Sequence, residues 1–166
     1  MSKLDAKCTI EQFNLLEIML AGRAVTEVMK NLYPADQPAL SKKGSVVIVT
    51  LEGDVHDLGK NILKTILLAN GYRVVDCGKD CPIQKLLETV EKERPIAIGI
   101  SGLITPVIPL VRQVKDKLFN RGLDGVKVIA GGAALKQSSS PRLNVDFVAQ
   151  SAFDALHYLE EIAGGV

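Results

Sequence analysis

The chain has 166 residues, enough for one domain with a proper core; 47% of them are hydrophobic and 23% charged, the balance of an ordinary globular protein. A net charge of +1 with no basic block argues against a nucleic-acid partner, and no apolar run reaches the length of a membrane span. The opening "MSKLDAKCTIEQ" is not a secretory signal, so the expected location is the cytoplasm.

Residues 9–33 predict a helix. Thr9 and Gln12 in "TIEQ" have the spacing of a capping box, and Pro34 ends the run. Its middle, "LLEIMLAG", is apolar most of the way round and needs cover on several sides. Residues 33–44 read as a linker with two prolines, so residues 1–40 form a helical segment and linker ahead of a main domain at 44–166.

From residue 45 strands and helices alternate. "SVVIVTL" is a continuous β-branched run, as in a parallel strand buried on both faces. "DLGKNILKTILLANG" follows as a helix, with Leu58, Ile62, Ile66 and Ala69 on one side and Gly71 past its end. "YRVVDC" is a second strand. "PIQKLLETVEKE" is a helix with Pro82 in its first turn and Ile83, Leu86, Leu87 and Val90 inward. "IAIGIS" is a third strand, and "PVIPLVRQVKDKLF" a helix burying Val107, Leu110, Val111, Val114 and Leu118. "VKVIAGG" and the short "DFVAQ" are the last strands. "SAFDALHYLEEIA" closes the chain, with Ser151 and Asp154 as a second capping box. Cys77 and Cys81 in "CGKDC" read as small, half-buried residues near a strand end, with a redox or metal site as the alternative.

This alternation predicts an α/β architecture, a flavodoxin-like (Rossmann-like) five-stranded parallel sheet in the order 2-1-3-4-5. Ligands of such sheets bind outside the carboxyl ends of the strands, where the strand order reverses. The site should therefore lie on the loops "EGDVHDLG", "SGLITP" and "GGAAL".

His56 has Asp54 two residues before it, the company a metal-ligating histidine keeps when a carboxylate fixes its tautomer. A histidine that only bonds within its own loop fits as well, and Asp54 alone could cap a helix. His157, without such company, reads as a surface residue. Gly131 and Gly132 fit either a tight turn or close backbone approach by a ligand. The phosphate-loop patterns are missing, and Ser101 lacks the G-x-S-x-G elbow of a hydrolase nucleophile.

Together, Asp54-x-His56-x-x-Gly59, Ser101-x-Leu103 and Gly131-Gly132 resemble the cobalamin (corrinoid)-binding signature, with matching gaps over residues 60–100 and 104–130. The resemblance covers about residues 44–163. The strings "GDVHDLGKNIL" and "SGLITP" are most similar to the corrinoid proteins of methyltransferase systems and the cobalamin domain of methionine synthase.

The resemblance implies a cobalamin cofactor (methylcobalamin or a related corrinoid) bound base-off, with His56 as the lower axial cobalt ligand. It implies that Asp54 accepts the imidazole N–H and that Ser101 hydrogen-bonds Asp54. Val55, Asp57, Leu58 and Gly59 would meet the cofactor from the first loop. Leu103, Thr105, Gly131, Gly132, Ala133 and Ala149 would border the slot for its nucleotide tail. The implied role is a carrier without turnover alone. It would shuttle a methyl group on cobalt from a substrate:corrinoid methyltransferase to an acceptor methyltransferase using tetrahydrofolate or a thiol, with a reductive activator as a further partner. Residues 9–33 resemble only the last helix of that family's cap, which predicts a homodimer or a partner packed on this helix. The small subunit of an adenosylcobalamin-dependent mutase and a non-catalytic cobalamin sensor are the rival readings.

Overall fold

The computed structural model describes residues 43–164 together with Ala24, Glu27, Val28 and Asn31, which are helical and exposed. The rest of the expected helix over 9–33, its capping box and the association expected through it lie outside the described residues. Among the described residues no helix is long and apolar enough to cross a membrane.

Five parallel strands, β1 (Ser45–Thr50), β2 (Arg73–Asp76), β3 (Ala97–Ser101), β4 (Lys127–Gly131) and β5 (Phe147–Val148), stand in the order β2-β1-β3-β4-β5. Helices α1 (Leu58–Ala69), α2 (Ile83–Glu93), α3 (Ile108–Phe119), α4 (Ser140–Leu143) and α5 (Ala152–Gly164) connect and close them. The predicted order and class are those observed.

The β1 run is continuous because both faces are buried. Val47, Val49 and Leu51 join Ile98, Ile100 and Val128 against Leu86, Leu87 and Val90 of α2 and Val111, Val114 and Leu118 of α3. Val46 and Ile48 turn the other way, toward Ile66 and Leu67 of α1 and Ala155, Leu156 and Leu159 of α5. Each such buried side chain is worth about 1.5–3 kcal/mol. The α5 capping box forms as read: Asp154 N–H donates to Ser151 Oγ at 3.2 Å, and Ser151 N–H to Asp154 Oδ2 at 2.9 Å.

Four details differ from the sequence expectation. Leu58 and Ala69, expected inward, are exposed; Lys60, Ile66 and Leu67 are the buried residues of α1. Leu58 is the first residue of the helix, ahead of the turns that carry Ile66 and Leu67 into the core. Lys60 is buried because its ammonium pairs with Asp76 Oδ1 at 2.5 Å. The helix expected from Pro106 splits into a 3-10 turn, Thr105–Val107, and α3. Pro109 causes the split, since it has no N–H for the carbonyl four residues back. The short α4, not foreseen, is opened by Ser140-Pro141. Cys77 and Cys81 are free and more deeply buried than expected, and burial raises both thiol pKa values.

Gly132 is dictated by its neighbours. Its φ is +99°, and a Cβ there would overlap the Gly102 carbonyl oxygen. Gly132→Ala is expected to cost about 2–4 kcal/mol from strain and overlap, read as a lowered urea midpoint.

Asp146 ties β4 to the chain before β5. Its Oδ2 accepts the Val128 N–H at 2.8 Å, and its Oδ1 meets Lys115 Nζ at 2.7 Å. Burial works against ionisation, but these two partners outweigh it and hold the carboxyl below its ordinary value of 3.8. A lowered folded pKa adds stability that is complete above the ordinary value and lost as pH falls through the folded one. Asp146→Asn should therefore be less stable than the parent near neutrality, and the gap should narrow as urea unfolding is repeated at successively lower pH below 3.8.

Candidate functional site

β1 and β3 are neighbours, yet the chain leaves them in opposite directions along the sheet, so their carboxyl ends open a crevice. The first loop follows β1. Its Asp54 is fully buried, and both oxygens of its carboxylate have hydrogen-bond partners. Oδ1 accepts the His56 backbone N–H at 2.9 Å and lies 2.7 Å from His56 Nδ1. Oδ2 accepts the Leu103 N–H of the second loop at 2.7 Å. Burial pushes the carboxyl pKa up, but the N–H groups of Leu103, His56 and Ile104 and the imidazole bring it below the ordinary value. A carboxylate can only accept, so Nδ1 carries a proton, and in the neutral imidazole the lone pair is then on Nε2. The imidazole is 51% exposed, so its far edge, with Nε2, is open to a ligand or metal.

The hydrogen bond from Ser101 to Asp54 is not made. Ser101 shares a face of β3 with Ala97 and Gly99, which aims its side chain at the α1 and α5 side. The Asp54 oxygens are taken instead by His56 and Leu103. Ser101 Oγ lies 3.4 Å from where a Gly59 side chain would begin.

On that side a cleft of about 210 Å³ runs between α1 and α5 over β3 and β4. Gly59, Ser101, Gly131, Gly132 and Ala149, all singled out in the sequence, line it. Leu103 and Thr105 do not. Leu103 gives the site its backbone N–H while its side chain is exposed, and Thr105 opens the 3-10 turn. Val55, Asp57 and Leu58 stand with His56 on the first loop and the start of α1, and Ala133 follows the glycine pair outside the cleft lining. His157 is exposed on α5.

Sequence reasoning missed Lys60, Leu63, Gly99, Gln150 and Ala152, which also line the cleft. Gly99 carried a signal, since a glycine inside a strand marks close approach. A Cβ there would lie 3.1 Å from Leu63 Cδ2. Gly131 is different. A Cβ there would meet only Ala149, its O at 3.5 Å and its Cβ at 3.9 Å, both ordinary contacts, so its small size leaves room rather than avoiding a clash. A cradle of small residues beside an oriented nitrogen donor has room for a metal-centred cofactor.

The B12 binding domain family matches residues 44–157. Dimethylamine corrinoid protein 3 of Methanosarcina mazei is 38% identical over 152 residues, covering 89% of this chain and 90% of that protein. The monomethylamine corrinoid protein of Methanosarcina barkeri superposes with a TM-score of 0.79 at 27% identity, over 97% of this chain and 77% of that one. The methanol:cobalamin methyltransferase complex of Methanosarcina barkeri has a chain that superposes with a TM-score of 0.70 at 31% identity, over 94% of this chain and 60% of that one.

Gly131→Ala tests the cleft. It is expected to weaken cobalamin binding roughly five- to a hundredfold, the cost of one overpacked group, while leaving the urea midpoint of the free protein in place. Titration followed by the visible spectrum reads the first quantity.

Proposed function

Since this chain belongs to the B12-binding domain family and binds a corrinoid, we propose that it is the methyl carrier of a methyltransferase system, with His56 as the lower axial ligand of the cobalt. One observation carries this reading: a buried carboxylate fixes the imidazole with Nε2 free, at the sheet's switch point and beside a cleft kept open by glycine and alanine. The bound corrinoid supplies a cobalt centre that accepts a methyl group from one protein and releases it to another.

The residues of this chain bind and orient. Asp54 keeps the proton on Nδ1 and anchors the loop to Leu103, so the donor nitrogen keeps one direction. Gly59, Ser101, Gly131, Gly132 and Ala149 border the cleft that would take the nucleotide tail. The exposed side chains of Val55, Leu58 and Leu103 offer apolar surface to the corrin. Ser101 would act from the cleft wall. Among the described residues no cluster of histidine, cysteine and carboxylates could hold a second metal.

The partners follow from the likeness to the methylamine corrinoid proteins and to the methanol:cobalamin methyltransferase complex. They are a substrate:corrinoid methyltransferase and an acceptor methyltransferase that uses tetrahydrofolate or a thiol, with a reductive activator. Residues 1–40 are proposed to form a partial helical cap that pairs with a second copy or a partner, in a cytoplasmic protein.

Purified protein loaded with methylcobalamin should lose its methyl group to a thiol only when an acceptor methyltransferase is added, followed as thioether formed per corrinoid. Retention of the methyl group under every acceptor condition, with adenosylcobalamin bound in preference, would overturn the carrier reading. His56→Ala is expected to shift the visible spectrum of the cobalt(III) protein while the far-ultraviolet dichroism stays unchanged. An identical spectrum would rule His56 out as the ligand.

A further inference from the structure

The loop that bears Asp54 and His56 does not stand alone. It rests on the loop that leaves β2, residues 77–82. Thr50 N–H donates to Gly78 O at 3.1 Å, Glu52 N–H to Cys81 O at 2.9 Å, and Asp80 N–H to Asp54 O at 3.0 Å. The fourth bond differs: Gly53 N–H donates to the Asp80 carboxylate, Oδ1, at 2.8 Å. The first three join backbone to backbone and would form with many sequences. Only the fourth needs a particular side chain.

Asp80 thus grips the residue before Asp54 with its side chain and Asp54 itself with its N–H. Both grips need an unusual backbone. Gly53 has φ +87° and Asp80 has φ +50°, a left-handed conformation that aspartate and asparagine tolerate better than other residues with side chains. The loop below is anchored in turn. Asp76 Oδ1 accepts the Gly78 N–H at 2.9 Å and pairs with the buried Lys60 of α1. Held on one side by the β2 exit, Asp54 can direct its carboxylate to His56 and Leu103 on the other.

We infer that Asp80 is a positioning residue for the axial histidine: by accepting the Gly53 N–H it holds the turn that aims Asp54, and through Asp54 the imidazole, at the metal. The inference rests on the reading of His56 as the cobalt ligand.

Three proteins test it: the parent, Asp80→Asn, which keeps an acceptor oxygen, and Asp80→Gly, which removes it while relieving the left-handed backbone. Each is made with 15N-histidine, loaded with cobalamin and reduced to the cobalt(II) state. Electron paramagnetic resonance then distinguishes a protein imidazole, which splits the cobalt lines into doublets, from the cofactor's own 14N base, which gives triplets. The parent and Asp80→Asn should show doublets. In Asp80→Gly the ratio of histidine-bound to unbound cobalt should fall about three- to tenfold, the range set by the net worth of one hydrogen bond. Amide exchange at Gly53 in the cofactor-free protein should speed up in Asp80→Gly alone, whatever the cobalt does. Parent-like doublets and parent-like Gly53 exchange in Asp80→Gly would overturn the inference and leave the His56 reading standing. A loss in Asp80→Asn equal to that in Asp80→Gly would also overturn it, because the acceptor oxygen would then not be the cause. A parent protein without doublets would instead remove the His56 reading, and the inference with it.

Discussion

Everything at the carboxyl end of this sheet depends on one buried carboxylate. Asp54 is fully enclosed, and a charge in that position is tolerable only if each oxygen is satisfied. Its partners come from two loops that are far apart in sequence, so one side chain fixes the imidazole and fastens the first loop to the second. The second loop is fastened to the third by backbone, since Gly102 N–H donates to Gly131 O at 2.9 Å and Gly102 O accepts from Ala134 N–H at 3.2 Å. Three separate turns become one platform, and a donor nitrogen on it has a direction as well as a position.

The fold was largely legible because its signals were redundant. A β-branched run, a helix of 3.6-residue periodicity and a glycine or proline stop recur along the chain from Ser45 to Gly164, and parallel strands joined by helices permit few arrangements. Errors fell where a single local signal competed with tertiary context. Periodicity put Leu58 inward, but it is exposed at the first position of α1; Lys60, outside that periodic set, is buried where Asp76 receives it.

The site was legible in part, and the division is physical. Asp54 and His56 are two residues apart, so the chain itself brings them together, and the short spacing predicted their contact. The partner of the other Asp54 oxygen could not be read, because it is a backbone amide, which every residue carries. Leu103 supplies it rather than the more conspicuous hydroxyl of Ser101. The same limit hid Asp80, whose carboxylate meets the Gly53 amide. Side-chain pairs close in sequence leave a trace in composition and spacing; contacts between side chain and distant backbone leave none.

The approach of Gly132 to Gly102 has a consequence for how the cleft can be reshaped. That contact is main chain against main chain, with no rotamers to exchange and no side chain to trim. The opposite boundary is built from Ile62, Leu63, Gln150 and Ala152 on α1 and around the start of α5, where each residue can change size or conformation on its own. The cleft therefore has one wall set by the path of the backbone and one set by residue choice. Relatives or designed variants with a differently shaped cleft should differ along the two helices and keep the glycine wall as it is.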